Sequence, residues 1–173
     1  MTPPGRRRPL LLLDVDGVLR PFGAGCDDEL VTLVTGADTV QVSARCGERL
    51  RLLATRFQLV WATSWEDEAN HVLCGPLGLP PLRVIRFGDD TSAPGSSYKL
   101  DAIDRFVKDR PAAYLDDDVG HDVTAWSGAR TAPTLVIEVD PRRGVDDEVV
   151  ATVLAFADDL DARAADRSQP SDG

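Results

Sequence analysis

Leu10-Leu-Leu-Leu-Asp-Val-Asp-Gly-Val-Leu-Arg20 is the stretch from which the rest of the chain can be read. Four consecutive leucines are too few for a helix of ordinary length and suit a strand buried on both faces of a parallel sheet. The apolar run stops at Asp14 and Asp16, at the strand's carboxyl end, where open α/β sheets place their ligands. Carboxylates this close, and partly buried, are costly and mutually repulsive, so they call for a cation or a basic partner. Gly17 frees the backbone to turn tightly directly after them.

Outward from this strand, apolar runs alternate with amphipathic ones. Residues 31–34 and 39–42, separated by Thr35-Gly-Ala-Asp38, read as a short hairpin. Ser43 can cap a helix running to about Thr55, with Leu50, Leu53 and Ala54 inward. Residues 57–62 form a second buried strand ending at Thr63-Ser64, and residues 66–73 a short helix stopped by Gly75-Pro76. The Gly/Pro-rich stretch 75–81 reads as a loop, 83–87 as a weaker strand and 88–97 as a polar loop, with Ser96 or Ser97 capping the next helix. That helix carries Leu100, Ile103, Phe106 and Val107 at helical spacing and is closed by Pro111. A fourth strand (112–115) ends at Asp116-Asp117-Asp118, a short helix follows over 122–129, and 134–139 is a fifth strand. The last helix starts near Asp146. Strands alternating with helices predict a single α/β domain: a Rossmann-like parallel five-stranded sheet between helices, with a small hairpin flap after the first strand. The expected domain spans 10–162, between a basic tail (1–9) and a polar tail (163–173).

Composition narrows the function classes. The 173 residues carry 28% charged and 43% hydrophobic side chains, ordinary for one globular domain. No apolar run approaches the roughly 20 residues that span a bilayer, and the four leucines are too few for a signal-peptide core, so a cytoplasmic protein with no membrane partner is expected. The cysteines, Cys26, Cys46 and Cys74, form no CxxC pair and read as free thiols. Net charge is −10. The head arginines Arg6, Arg7 and Arg8 offset the excess acid beyond residue 157, so the body carries that whole charge. No broad nucleic-acid-binding surface is expected, unless Arg83 and Arg86 or the head arginines form a local patch.

Three strand ends carry polar residues: Asp14 and Asp16, Thr63 and Ser64, Asp116 and Asp117. Lys99 stands at a helix start. In a doubly wound sheet these ends converge, and carboxylates, a hydroxyl and an amine at one focus make a site for Mg²⁺ and a phosphoryl group. Asp118 and Asp122 read as helix-capping charges, and His71 and His121 lie outside this set. Trp61 reads as core; Trp65, straight after Thr63, is the better candidate than Trp126 for a rim touching substrate.

The ordered set Asp14-Val-Asp-Gly-Val-Leu, Thr63, Lys99 and Asp116-Asp117 resembles the haloacid dehalogenase (HAD) superfamily of phosphohydrolases over roughly residues 10–140. The resemblance implies that Asp14 is a nucleophile forming an aspartyl-phosphate and that Asp16 serves as acid and then base. It further implies that Thr63 bonds the phosphoryl oxygens and that Lys99 holds Asp14 and the phosphoryl group together. Mg²⁺ would then be bound by Asp14, the Asp16 carbonyl and Asp117, with Asp116 in support. Residues 60–70 and 77–81 are similar to a group of small bacterial HAD proteins related to HAD domains seen with RNA-repair machinery. The gaps between motifs leave no room for a cap domain. By resemblance to capless members, the expected substrate is a bulky phosphate, with a nucleic-acid end, a phosphoprotein or a metabolite as candidates. The alternatives carried are a phosphotransferase, a non-catalytic HAD-like scaffold and a receiver domain. The last is disfavoured because its phosphorylated aspartate belongs on a middle strand, where this chain has Thr63.

Overall fold

The computed structural model describes residues 7–23, 25–35, 38–87 and 98–167. Strand β1 (Leu10–Leu13) is the centre of a five-stranded sheet, and all four of its leucines are buried. Leu11 and Leu13 enter the larger hydrophobic cluster and Leu10 and Leu12 the other, so consecutive residues serve opposite faces. That explains the unbroken apolar run: each fully buried leucine contributes about 1.5–3 kcal/mol, and neither face can accept a polar residue.

The chain then makes the hairpin β2 (Leu30–Thr35) and β3 (Asp38–Ser43), helix α1 (Cys46–Ala54) and strand β4 (Gln58–Trp61). Three abutting helical pieces follow: α2 (Asp67–Ala69), a π turn (Asn70–Cys74) and α3 (Gly75–Leu77). The remainder is β5 (Arg83–Val84), α4 (Leu100–Val107), β6 (Ala112–Asp116), α5 (His121–Ala129), β7 (Thr134–Glu138) and α6 (Asp147–Asp166). The sheet order is β5-β4-β1-β6-β7, every pair parallel. Side chains of α1, α6 and the hairpin fill the larger cluster; those of α4 and α5 fill the smaller. The expected α/β fold and hairpin flap are thus present.

Several local expectations change. Ser43 does not cap α1: it ends β3, and its hydroxyl donates to Asp28 (2.6 Å) and accepts from the Arg45 N–H (3.1 Å). Gly75-Pro76 does not stop the second helix, and 75–77 is not a loop. The wider π turn resets the hydrogen-bond ladder, so Pro76 lies in a fresh first turn, where its missing N–H costs nothing. The run ends instead at Gly78, whose φ of 65° is left-handed. Asn70 braces the π turn. Its carbonyl accepts from the Trp61 indole (2.9 Å) and the Leu82 N–H (2.8 Å), and its amide donates to the Leu82 carbonyl (2.9 Å). Helix α4 stops at Val107, before Pro111, because Lys108 adopts a φ of 51°. Helix α6 continues past Arg163 to Asp166. The loop at 88–97, with its Ser96 or Ser97 cap, and the hairpin tip at 36–37 lie outside the described residues.

The flap is tied to the domain by Arg49, itself 5% exposed. It pairs with Asp28 and Asp147 and donates to the Val145 carbonyl (3.0 Å). Arg49→Met is expected to cost about 2–4 kcal/mol, read from urea midpoints, because it leaves Asp28 without its buried cation. Arg49 also holds Asp28 and Asp147 below the usual carboxylate range by hydrogen bonding. Their stabilisation is complete above the unfolded value near 4 and is lost as pH falls through the lower folded values. The variant should therefore show a flatter stability profile below about pH 4.

Candidate active site

In order of occurrence the sheet runs third, second, first, fourth, fifth, so the chain reverses direction between β1 and β6. The crevice outside the carboxyl ends of those two strands is the topological switch point. Parallel register sets Leu13 beside Leu115, and the Asp14 N–H donates to the Leu115 carbonyl (3.1 Å). Asp14, the residue after β1, and Asp116, the last of β6, are therefore neighbours because of strand pairing.

Carboxylate oxygens of Asp14, Asp116 and Asp117 lie within 4.8 Å of one another. Lys99, at the start of α4, bridges two of them: its Nζ is 3.0 Å from Asp14 Oδ2 and 2.8 Å from Asp116 Oδ2. All three of these residues are buried. Both Asp116 oxygens are engaged, since Oδ2 also accepts from the Tyr114 hydroxyl and Oδ1 from the Asp118 N–H (3.0 Å). Burial pushes Asp14 up to about 6, with Lys99 opposing and Asp116 adding to the rise. Burial and Asp116 also raise Asp117. Burial pulls Lys99 down, but Asp14 and Asp116 outweigh it and hold the ammonium above its usual range.

Residues 15–20 form a tight turn in which the Val18, Leu19 and Arg20 N–H groups all donate to the Val15 carbonyl (3.2, 2.9 and 2.9 Å). Gly17 has φ 69°, and a Cβ on it would stand 2.3 Å from Asp117 Cγ and Oδ2. Glycine is thus required for the turn and for the space that Asp117 occupies. Gly17→Ala is expected to displace Asp117 and to cost about 2 kcal/mol or more from backbone strain and overlap. Thermal midpoints and an Mg²⁺ titration of the variant check this, and unchanged values for both would refute it.

Not every residue singled out from the sequence joins the cluster. The Asp16 side chain turns aside: Oδ1 accepts from Arg20 (3.0 Å) and Oδ2 from the Trp65 indole N–H (2.8 Å). Thr63 is buried beyond β4, and its hydroxyl accepts from the Trp65 N–H (3.3 Å) while keeping a proton to donate. Ser64 is exposed. Trp61 is core, and Trp126 stands elsewhere, donating to Asp104 under Arg130. His71 pairs loosely with Glu68, and His121 is an exposed first residue of α5. Arg86 is paired with Glu66 and Asp67.

Tyr114 and Arg20 went unread in the sequence. Tyr114 precedes Asp116 by two on a strand, which puts both on one face; that periodicity was a usable signal. Arg20 offered none, because only the turn brings it back over Asp16.

No helix among the described residues is long and apolar enough to cross a membrane. A comparison with curated proteins finds no match. The carboxylate cluster at the switch point agrees with the family comparison, in which one family model matches residues 10–150: the chain belongs to the HAD domains described from Swiss Army Knife RNA repair proteins.

Proposed function

We propose that this protein is a Mg²⁺-dependent phosphomonoesterase working through an aspartyl-phosphate on Asp14. HAD membership supports a phosphohydrolase-type enzyme, and the three-aspartate cluster fits a divalent cation. The observation that carries the reading is the Lys99 bridge between Asp14 and Asp116, with Asp117 alongside, at the switch-point crevice. Three carboxylates against one ammonium leave negative charge in excess, and oxygen-only donors suit hard Mg²⁺. Asp14, Asp117 and the Asp16 backbone carbonyl would hold the ion. Asp116, its oxygens already engaged, would support it and fix Lys99. Bound there, Mg²⁺ supplies charge neutralisation at the phosphoryl oxygens.

The remaining chemistry belongs to side chains. An Asp14 oxygen attacks phosphorus as the bond to the leaving oxygen breaks, and the Asp16 carboxyl gives that oxygen its proton. Water then attacks the same phosphorus, Asp16 takes its proton, and the Asp14 carboxylate is released with inorganic phosphate. Lys99 keeps Asp14 in place and faces the phosphoryl charge, and the Thr63 hydroxyl donates to a phosphoryl oxygen.

Among the described residues no domain-sized insertion stands over the crevice: a hairpin and α1 separate β1 from β4, and short helical pieces separate β4 from β5. An open site supports a bulky phosphate carrier. A polynucleotide end is the first to test, because the family description is of RNA repair proteins. The deciding experiment is Mg²⁺-dependent phosphate release from p-nitrophenyl phosphate and from 5′- and 3′-phosphorylated oligonucleotides. Release that a chelator and Asp14→Asn both abolish is expected. Release that survives either one overturns the reading, and so does its absence from every substrate.

A further inference from the structure

Asp16 is the carboxylate of the catalytic set that stands outside the cluster of Asp14, Asp116 and Asp117, and its placement is built. We propose that Trp65 is a positioning residue, whose indole N–H orients the Asp16 carboxylate for proton transfer to the leaving group. The inference rests on the reading of Asp16 as the acid and base of the proposed reaction.

The two donors to Asp16 differ in kind. Arg20 approaches Oδ1 at 3.0 Å with a side chain 39% exposed, a solvent-screened pair on a flexible stem. Trp65 approaches Oδ2 at 2.8 Å with a ring packed against the larger core cluster. A tryptophan has two side-chain torsions, and packing on the core fixes both. Its backbone is held as well: the Trp65 N–H donates to the Thr63 hydroxyl (3.3 Å), and the Glu66 N–H to the Thr63 carbonyl (3.1 Å). Glu66 itself has φ 46°, an unfavourable conformation for a residue with a side chain. It is kept there by the bond from the Phe87 N–H (3.4 Å) and by Arg86 (3.2 Å). Strain held directly beside a site residue is a mark of functional geometry. Here the strained turn aims Trp65.

What the aim achieves follows from the carboxylate. Each oxygen has two lone-pair positions, so one indole and one guanidinium leave places for a proton. The Asp16 side chain is 37% exposed, so it can exchange a proton with a leaving group or a water. The same Thr63 hydroxyl that would meet the phosphoryl group accepts from the Trp65 backbone, so the turn couples the phosphate position to the proton donor.

The test separates orientation from simple support. p-Nitrophenolate leaves without a proton, whereas the alkoxide of glycerol 2-phosphate must be protonated. The ratio of their kcat/KM values, which reports only steps through leaving-group departure, therefore reads the proton transfer. Trp65→Phe keeps the ring and removes the donor. It is expected to lower kcat/KM about tenfold for glycerol 2-phosphate and less than about twofold for p-nitrophenyl phosphate. Asp16→Asn should show the same split at about 100-fold or more. Equal losses on both substrates for Trp65→Phe, beside a split for Asp16→Asn, would mean that Trp65 only supports the fold, and would overturn the inference alone. No split in Asp16→Asn would overturn the acid–base role and the inference with it. Wild-type protein without Mg²⁺-dependent release would instead be the failure of the proposed function.

Discussion

Asp14→Asn is expected to lower phosphate release about a thousandfold or more while leaving the protein folded. The amide is nearly isosteric with the carboxylate and keeps an oxygen to accept from Lys99, but it cannot attack phosphorus. The stability consequence runs the other way from the activity. Burial raises Asp14 to about 6, so the folded state binds its proton more tightly than the unfolded chain, whose carboxylate titrates near 3.9. Ionised Asp14 therefore costs stability in metal-free protein above about pH 6, and that cost fades as pH falls toward about 4. Asparagine removes the cost. In chelator at pH 7 the variant should melt no lower than wild type, and its midpoint should rise less between pH 7 and pH 5 than the wild-type midpoint does. Mg²⁺ should raise the wild-type midpoint more than the variant's, since one ligand charge is gone. A variant that keeps its turnover would remove Asp14 from the chemistry.

Lys99→Met should have the largest effect on stability. Lys99 is the cation between two buried carboxylates, and methionine fills a similar volume without the charge. Removing one partner of a buried ion pair costs about 3–5 kcal/mol, because the charge left behind is neither hydrated nor paired. At about 2–4 °C per kcal/mol for a domain of this size, the metal-free midpoint should fall by roughly 10 °C. Mg²⁺ should restore part of the loss by supplying positive charge to the same oxygens, although turnover should stay low because the phosphoryl charge has lost its ammonium. Calorimetry with and without Mg²⁺ checks both statements. An unchanged metal-free midpoint would show that the Asp14–Lys99–Asp116 network carries little of the fold's stability.

How legible the molecule was depended on the range of the forces involved. Leu10 to Leu13 announced a doubly buried strand because burial on both faces excludes polar residues locally. Helix α4 was readable from its apolar stripe, and the start of α6 from Asp146, whose side chain accepts from the Val149 N–H (2.9 Å). Gly75-Pro76 misled because proline's effect depends on its place in the hydrogen-bond ladder. A π turn braced from Trp61 and Leu82 moved that place. Ser43 misled in a similar way: Asp28 and Arg49, brought in by the hairpin's return, compete for the hydroxyl that would have capped α1.

The sequence by itself determined the strand–helix alternation, the five-stranded parallel sheet and the motif residues Asp14, Asp16, Thr63, Lys99 and Asp116-Asp117, because hydrophobic period and residue chemistry are written locally. Only the tertiary structure decided how those residues are divided. Strand pairing put Asp14, Asp116 and Asp117 with Lys99. The turn after β1 sent Asp16 away to Arg20 and Trp65. The absence of a side chain on Gly17 opened the space that Asp117 fills. These contacts join residues far apart in the chain or at opposite ends of a turn, and their geometry exists only once the sheet has closed around β1.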